Sequence, residues 1–534
     1  MKHWLIYFLF LITMVSCKKL TPQPMQVIYH DTVQIQPIAH PDILDIDTLL
    51  LSGESQEIKK FYKTNEYKIG WTEEENRMQL LEVLKNLKTD GIPTEQFPIA
   101  KLEEYNKDYA ELSDQEKMKA DILFANNYSL ALNQLYNGVL NARKLYNDWD
   151  IDAKNLSASS TMVLALDNKA VEISFDSIRP AKQVYTRMRS KLTDLYELNS
   201  DSLQVFKNTT VNINDTLSQT STLVNHLIFL NYLSDSISSA SAVYTPAIAD
   251  GIKQLQNKHK LKINGIADEK TMDALVSEVN MVKEKLIVNL ERWRWFPREF
   301  GEYYILINIP NYSLVAVSEN DTLQSHKIVV GKKDRKTPVL SSQLTTIVLN
   351  PTWTVPPTIL KNDLTPKASA DRSYFTKQNF TIYNAQGKVV SAEEWDPSKA
   401  RSYRYVQKGG PGNTLGRIKF LFKNNHAVYL HDTPSKWNFD IDKRSLSSGC
   451  VRVQDPFDLA QYVFEIVGNN ISQEKINEIL KSEKTNNISV SKVPVQIHQL
   501  YWTIQIDKNG KIKLLDDLYD LDKDLYKKLN TSKG

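Results

Sequence analysis

Hydrophobic residues recur at helical spacing across residues 46–240. Thr72 and Glu75 have the spacing of a capping box, and the helix that they start is predicted to end at Asp90-Gly91. Ser113 and Glu116 have the spacing of a second capping box. Two further apolar stripes follow, one of Leu123, Leu130, Leu132 and Leu135 and one of Val184, Met188, Leu192 and Leu195. Such stripes pack cores far more often than they hold cofactors, so the pattern predicts a helical scaffold domain without catalytic chemistry.

A compact helical unit is predicted at residues 241–282. Apolar residues from Ile248 to Leu255 lie on one face of its first helix, Asn264-Gly265 supplies a turn, and Asp268 has the position of a cap for a second helix. The pattern is similar to that of small three-helix peptidoglycan-binding domains. A plain helical hairpin is the alternative, because two amphipathic helices around a turn are common.

The pattern then changes from helical to alternating, which predicts a mainly β domain over residues 283–534. Alternation over residues 303–309 and 313–317 predicts a hairpin, and the aromatic run Trp293–Phe296 before it is predicted to pack at a domain joint. Further strands are predicted at residues 327–330, 345–349, 418–422 and 495–506, and a helix from about Asp455-Pro456 to Val467. The predicted fold class is therefore multidomain α+β.

The first 45 residues have the features of an export signal followed by a tether. Residues 1–16 combine a basic start with an apolar run that is too short to span a bilayer, and Met14-Val15-Ser16-Cys17 resembles a slightly irregular lipobox. Cys17 is then the predicted lipid attachment site, and a cleaved secretory signal with an incidental cysteine is the alternative. Residues 17–45 carry prolines among polar residues and predict a tether. The expected location is the bacterial cell envelope, lipid-anchored and facing the periplasm.

Composition excludes several classes of function. The chain has 534 residues, of which 41% are hydrophobic, enough for several soluble domains with cores. Its 66 basic and 63 acidic residues are interspersed, so no nucleic-acid-binding surface is expected. None of the nine histidines pairs at helical spacing or lies in a Cys/His cluster, so neither a metal nor another cofactor is predicted. A disulfide between the two cysteines would tie a flexible leader to a domain core and has little weight, which leaves Cys450 as a free thiol.

Cys450 is the candidate nucleophile. A reactive thiol needs a base, donors for a developing oxyanion and nearby positive charge. His431 ends the apolar, strand-like run 427–430, where an imidazole can be held rigidly, and Gly449 lets the backbone turn tightly and point N–H groups at a carbonyl oxygen. Arg452, Lys443 and Arg444 are expected to favour the thiolate. The alternative is a buried core cysteine and a structural histidine.

The segments His431-Asp432-Thr433-Pro434 and Ser447-Ser448-Gly449-Cys450-Val451-Arg452 resemble the catalytic motif of the L,D-transpeptidases, the YkuD-like family. Compact members have His where this chain has Ser448. The Ser-Ser-Gly-Cys sequence of this chain resembles instead a large multidomain branch of the family. Stretches 330–338, 349–357 and 412–420 resemble the same branch.

The resemblance implies roles for the residues of this motif. Cys450 and His431 are the expected catalytic pair, with a backbone carbonyl, such as that of Asp432, orienting His431. Gly449, Ser448, Ser447 and Arg452 are the expected oxyanion or substrate-positioning residues. For Arg452, bracing of the loop is favoured over binding of a substrate carboxylate. The resemblance also implies a capping insert at about residues 358–407, for which a solvated excursion is the alternative.

The implied reaction takes peptidoglycan tetrapeptide stems as donor and acceptor. A Cys450 thioester forms with release of D-Ala, and an amine of a second stem resolves it into a 3→3 cross-link. A lid that excludes water would favour the amine over hydrolysis. The same thioester chemistry can serve D-amino-acid exchange, carboxypeptidase activity or attachment of a protein to the wall, and a non-catalytic wall-binding scaffold is a third class. Further expected partners are the membrane, through the lipid, and cell-wall synthesis enzymes.

Overall fold

The computed structural model describes residues 43–198, 203, 210–216, 220–238, 242–319, 321–469 and 471–531. The predicted signal segment, Cys17 and nearly all of the predicted tether lie outside these residues. Within the described part of the chain, no helix has both the length and the apolar character needed to cross a membrane.

The N-terminal region is helical, as its apolar spacing predicts. Its helices are α1 (Gln56–Thr64), α2 (Glu74–Asn86), α3 (Ile99–Lys107), α4 (Asp114–Asn137), α5 (Ala142–Leu145), α6 (Ala158–Asp167), α7 (Val171–Ile178) and α8 (Gln183–Leu198). The predicted capping box of Ser113 and Glu116 starts α4. The one predicted at Thr72 is wrong: Glu73 is the N-cap of α2, and the Thr72 carbonyl accepts a hydrogen bond from Arg77 at 2.7 Å.

Three helices follow, α9 (Thr220–Phe229), α10 (Pro246–Lys258) and α11 (Glu269–Trp295). Asp268 caps α11 as predicted, accepting from the Thr271 N–H at 2.9 Å. Gly265 has a φ of +71° in the predicted turn, a backbone region that favours glycine. Because α11 is a single helix of 27 residues, it continues without a break from the small helical unit into the domain that follows.

The C-terminal region is mainly β, which confirms the multidomain α+β fold class. Its strands, with one contributed by the scaffold, are β1 (Trp149–Asp150), β2 (Tyr303–Asn308), β3 (Ser313–Ser318), β4 (Asp321–Gly331), β5 (Val339–Leu349), β6 (Trp353–Thr354), β7 (Phe380–Tyr383), β8 (Val389–Val390), β9 (Arg404–Gln407), β10 (Ile418–Phe422), β11 (Leu430–His431), β12 (Ser445–Ser447), β13 (Val451–Val453), β14 (Asn486–Ser489), β15 (Val495–Leu500), β16 (Ile504–Ile506) and β17 (Ile512–Leu514). The main sheet has the order β1-β5-β10-β11-β13-β4-β3-β2-β15, so β11 and β13 are neighbours near its middle.

The strand predicted over residues 495–506 is wrong in extent. It is divided into β15 and β16, and β16 pairs with β17 in a separate two-stranded sheet. Between them the Trp502 N–H donates to the Asn308 side chain at 3.0 Å, and the Thr503 N–H donates to the Asn289 side chain at 2.9 Å. Side chains of other elements therefore take the hydrogen bonds that a continuous strand would give to its neighbour.

The predicted insert is a folded subdomain, here called the cap and comprising residues 353–407. It contains α12 (Pro357–Ile359), a π-helix (Leu360–Leu364), α13 (Thr365–Ala370), α14 (Tyr374–Lys377) and a sheet with the order β6-β9-β7-β8. Buried residues of the cap, among them Leu364, Phe375, Trp395 and Tyr405, form a hydrophobic cluster of their own. A solvated excursion would have no such core.

The chain ends with α15 (Pro456–Ile466), α16 (Gln473–Ser482) and α17 (Asp522–Thr531). The end of α11 meets α17 and the scaffold in a buried contact, here called the α11 joint. Its aromatic part confirms the predicted packing, since Trp295 packs edge-on against Trp149 of the scaffold with ring centroids 5.2 Å apart. Its charged part consists of Lys285, Glu291, Arg292, Arg294 and Asp522.

Candidate active site

The middle of the main sheet brings the two motif segments together. β11 and β13 pair in parallel, with His431 opposite Arg452. Tyr429 lies one residue before β11, and its carbonyl accepts a hydrogen bond from the Val451 N–H at 3.2 Å, which continues the pairing toward Cys450. Cross-strand neighbours share a face of a sheet, and alternate residues of one strand do so as well. One face therefore carries the side chains of Tyr429, His431, Cys450 and Arg452.

β10 extends this face on the other side of His431. It pairs antiparallel with β11, with Lys419 opposite His431. The Lys419 ammonium lies 5.2 Å from the centroid of the Tyr429 ring, a cation–π distance. We call this set of side chains, Lys419, Tyr429, His431, Cys450 and Arg452, the His431 face.

His431 is held in one tautomer. Its side chain is buried, and its Nδ1 lies 2.5 Å from the Asp432 carbonyl oxygen, which can only accept a hydrogen bond. Nδ1 therefore carries the proton and Nε2 is left with its lone pair. Burial, and after it the charge of Arg452, lowers the pKa of His431 to about 3. The predicted orientation of the imidazole by a backbone carbonyl is confirmed.

The Asp432 carboxylate is committed to partners other than the imidazole. It accepts from the Arg417 N–H at 2.9 Å and from the Lys436 ammonium at 2.6 Å. Gly416 allows this arrangement, because a Cβ at that position would lie 2.3 Å from the Asp432 Oδ2. The carboxylate thus anchors the backbone whose carbonyl orients His431.

Cys450 is a free, half-buried thiol. Burial raises the pKa of Cys450, although hydrogen bonds from the Tyr429 backbone and hydroxyl, and the charges of Arg452 and Lys419, act in the opposite direction. With the pKa of the imidazole lowered and that of the thiol raised, both groups are neutral at rest. The predicted effect of Arg452 on the thiol is present, but burial outweighs it.

The other two cations predicted to favour the thiolate lie elsewhere. Arg444 donates to the backbone carbonyls of Ile328 and Ile441 at 3.1 and 2.8 Å. Lys443 is exposed on the surface. The prediction that they act on Cys450 is wrong, because sequence proximity in a turn does not fix where long side chains point.

The loop before Cys450 is shaped by hydrogen bonds within it. Gly449 has a φ of +114°, which disfavours other residues, and its N–H donates to the Ser447 hydroxyl at 3.2 Å. The Ser447 hydroxyl in turn donates to the Cys450 carbonyl at 2.5 Å, and the Thr337 hydroxyl donates to the Gly449 carbonyl at 2.9 Å. The φ of Gly449 fits the predicted tight turn, whereas its N–H, one of the predicted oxyanion donors, is engaged within the loop by Ser447.

Three family models match the chain. Residues 56–192 match a scaffold domain, and residues 216–275 match the model described as “Putative peptidoglycan binding domain”. Residues 302–468, which contain the whole His431 face, match the L,D-transpeptidase catalytic domain of the YkuD family. The chain carries a YkuD-type L,D-transpeptidase catalytic domain.

A curated relative supports the same assignment. It is the protein of Haemophilus influenzae (strain ATCC 51907 / DSM 11121 / KW20 / Rd) named “Putative L,D-transpeptidase”, which is 33% identical to this chain over 288 residues. The match covers 53% of this chain and 57% of the relative, so the chain spans little more than half the length of the relative.

Solved L,D-transpeptidase structures are also similar, but only weakly. Those from Xylanimonas cellulosilytica DSM 15894 and Stackebrandtia nassauensis are 11% and 10% identical to this chain, with TM-scores of 0.15 and 0.17. The likenesses cover 54% and 55% of this chain and 96% of each solved chain. At such scores they add nothing to the family assignment.

The cap contacts the site of the L,D-transpeptidase domain at two points. Arg335 donates to the Asp363 carboxylate of the cap at 2.6 Å and to the Ser448 hydroxyl at 2.9 Å. Trp353, the first residue of the cap, hydrogen-bonds the Tyr429 hydroxyl. The cap is thereby connected both to the loop before Cys450 and to the group that donates to its sulfur.

Arg452 does not brace the loop. Its Nε is buried without a hydrogen-bond partner, and its guanidinium donates to no residue that the structure describes. The favoured prediction for Arg452 is therefore wrong. The register of β11 and β13 turns this side chain toward His431, away from the loop carbonyls that the motif suggested.

Several residues of the candidate site were not predicted from the sequence. Alternation over residues 418–422 could have placed Lys419 on one face of its strand, and the i−2 position of Tyr429 could have placed it beside His431. Thr337 and Arg335 carry no such signal, because their contacts with the Cys450 loop join segments more than 100 residues apart.

Proposed function

We propose that the chain is a peptidoglycan L,D-transpeptidase that forms 3→3 cross-links through a Cys450 thioester. The observation that carries the proposal is the pairing of β11 with β13, which places a free thiol on the same face of the sheet as an imidazole whose Nδ1 is held by a backbone carbonyl. The match of residues 302–468 to the L,D-transpeptidase catalytic domain supports the same chemistry.

In the first step His431 acts as a general base. As the sulfur attacks the carbonyl that joins the third residue of a tetrapeptide stem to the terminal D-Ala, the thiol proton passes to Nε2. The same proton then goes to the departing amine, the C–N bond breaks and D-Ala leaves behind a thioester. A general base is needed because both groups are neutral at rest.

The Cys450 N–H is the proposed oxyanion donor, with the Gly449 N–H already engaged by Ser447. One donor of this kind stabilises a tetrahedral oxyanion by about 3 kcal/mol. The Tyr429 hydroxyl donates to the sulfur and supports its negative charge when the thiolate leaves again in the second step.

In the second step an amine of another stem replaces D-Ala. His431 accepts a proton from this amine as it attacks the thioester, and the thiol is regenerated. The folded cap, linked to the site through Asp363 and Trp353, would limit the access of water and so favour the amine over hydrolysis.

The direct test is product analysis with purified tetrapeptide muropeptides and the full-length protein in detergent. We expect one D-Ala released for each 3→3 dimer, and neither product with Cys450→Ala. Free tripeptide would identify a carboxypeptidase, and incorporation of added D-amino acids would identify an exchange enzyme. Loss of Cys450 without loss of the cross-linked product would contradict the proposal.

We also propose that Cys17 carries a lipid that anchors the protein to the membrane, facing the periplasm. The proposal is supported by the lipobox-like segment Met14-Val15-Ser16-Cys17 that follows a short apolar run. Incorporation of a labelled fatty acid should occur in the wild type and be absent in Cys17→Ser. Labelling that persists in the variant would contradict this assignment.

A further inference from the structure

Two cations flank His431, one on each neighbouring strand. Lys419 of β10 lies opposite His431 on one side, and Arg452 of β13 lies opposite it on the other. Both side chains are partly buried, and burial lowers the pKa of each. The imidazole is therefore bordered by positive charge on both sides.

Neither cation has an acidic partner among the described residues. No ion pair or side-chain hydrogen bond to another described residue involves Lys419 or Arg452, and the Arg452 Nε is buried without a hydrogen-bond partner. The nearby carboxylate of Asp432 is engaged by Lys436 and the Arg417 N–H. Partly buried cations without a carboxylate partner are costly, so a site that keeps two of them is suited to an anionic ligand.

We propose that Lys419 and Arg452 bind the carboxylate of the D-amino acid that leaves in the first step. The inference rests on the proposed function, and it names the group of the substrate that the His431 face recognises. The leaving nitrogen must lie beside His431 to receive the proton. In an amino acid only the α-carbon separates this nitrogen from the carboxylate, so the carboxylate lies among the neighbours of His431, which are Lys419 and Arg452.

The same subsite fits the acceptor of the second step. The acceptor amine enters where the leaving amine departed, since the two steps are the reverse of one another at the acyl carbon. An amine on a carbon that also bears a carboxylate, as at the far end of a diamino acid stem residue, presents the same pair of groups. The subsite therefore selects amines with an adjacent carboxylate, and water lacks this feature.

The first test compares a tetrapeptide that ends in D-Ala with one that ends in D-alaninamide. Wild-type full-length protein should release D-Ala from the acid at least about tenfold faster than it releases D-alaninamide from the amide, as charge-assisted hydrogen bonds to one carboxylate allow. Lys419→Met and Arg452→Gln should each reduce this acid-to-amide ratio, and the double variant should bring it near one. Lys423→Met, which removes an exposed cation just beyond the same strand as Lys419, should keep the wild-type ratio.

A second test needs no turnover. Cys450 is alkylated with iodoacetate or with iodoacetamide. The rate with iodoacetate is divided by the rate with iodoacetamide, and this ratio is divided by the same ratio for free cysteine. Both reagents attack the same sulfur with loss of iodide, so a change in the thiol pKa affects both rates alike and cancels. We expect a ratio several-fold above one in the wild type and near one in the double variant.

The outcomes separate this inference from the proposed function. Equal release from the acid and the amide by the wild type, with an alkylation ratio near one, would overturn the carboxylate subsite and leave the transpeptidase intact. No release from either peptide would contradict both the carboxylate subsite and the proposed function. If the ratios fall in Lys423→Met as strongly as in the other variants, overall charge would explain them and the subsite would be refuted.

Discussion

The α11 joint and the His431 face both hold positive charge away from water, and they differ in its partners. In the joint, Asp522 lies 2.6 Å from Arg292 and 2.7 Å from Lys285, and Glu291 lies 2.6 Å from Arg294. On the His431 face, Lys419 and Arg452 have no carboxylate partner among the described residues. The joint connects elements of different domains, and each of its three cations has a carboxylate partner within the protein.

The difference indicates what each region is built to do. Burial alone would raise the pKa of Asp522, but the charges of Arg292 and Lys285 outweigh it and hold that pKa below its usual range. At the His431 face the uncompensated Arg452 helps to keep the imidazole neutral instead. Breaking a buried ion pair leaves a charge without its partner, whereas the unpaired cations of the His431 face are placed, under the proposed function, to tune the base and to bind a ligand.

Breaking a pair in the joint should have the largest effect. Asp522→Asn leaves Arg292 and Lys285 without their acid and should lower the free energy of unfolding by about 3–5 kcal/mol. Because the folded-state pKa of Asp522 is depressed, its contribution is present above the unfolded-state pKa and is lost as the pH falls through the folded-state value. Urea unfolding at neutral and acidic pH measures both effects. Asp524→Asn, in an exposed pair with Lys528, is the control and should change little.

Disturbing the carboxylate of Asp432 should have the next largest effect. Gly416→Ala places a Cβ 2.3 Å from Asp432 Oδ2 at a φ of +65°, so it should cost about 2 kcal/mol or more and slow acylation of Cys450. Gly387→Ala has a similar φ of +77° with no atom within 4 Å, and should cost only about 1 kcal/mol for the backbone. Equal costs for the two variants would mean that the contact with Asp432 is unimportant.

Removing an unpaired cation should barely change stability. Arg452→Gln breaks no ion pair and relieves a desolvated charge, so its free energy of unfolding should stay within about 1 kcal/mol of the wild type. Acylation by a tetrapeptide should nevertheless slow. A loss of stability as large as that of Asp522→Asn would show that Arg452 has a structural partner. It would also contradict the proposed difference between the α11 joint and the His431 face.

The pH dependence should be the smallest effect of all. Since the pKa of His431 is lowered to about 3 and that of Cys450 is raised, the neutral pair persists across the intervening range. The second-order rate constant for acylation should stay nearly constant from about pH 5 to 8, whereas an ordinary histidine would lose activity below about 6.5. A fall centred near that value would contradict a neutral, buried base.

Local sequence predicts an element well where its backbone follows the regular helical or sheet pattern of hydrogen bonds. The capping box of Ser113 and Glu116 and the strand over residues 418–422 lie where their patterns place them. Thr72 fails because Glu73 is the N-cap and Arg77 binds the Thr72 carbonyl. The strand predicted over residues 495–506 fails because side chains from distant segments take its N–H groups.

The candidate site divides in the same way. The motif identifies Cys450 and His431, and the neighbouring carbonyl of Asp432 is close enough in sequence to be anticipated. Alternation along one strand places Tyr429 on the face of His431, but Lys419 joins that face only when the register of β10 and β11 is known, because the pairing of strands is not encoded in either of them. The misplaced role of Arg452 has this origin, whereas that of Gly449 follows from its hydrogen bond with Ser447 and that of Arg444 from its contacts with backbone carbonyls.

Cys450 is the proposed nucleophile and His431 its proposed base, and intact-protein mass spectrometry with a carbapenem tests both roles directly. Incubation of the full-length protein should add the mass of one opened carbapenem, absent in Cys450→Ala and formed much more slowly in His431→Gln. An adduct on folded Cys450→Ala, or no adduct on the folded wild type, would contradict the role of Cys450 as the nucleophile.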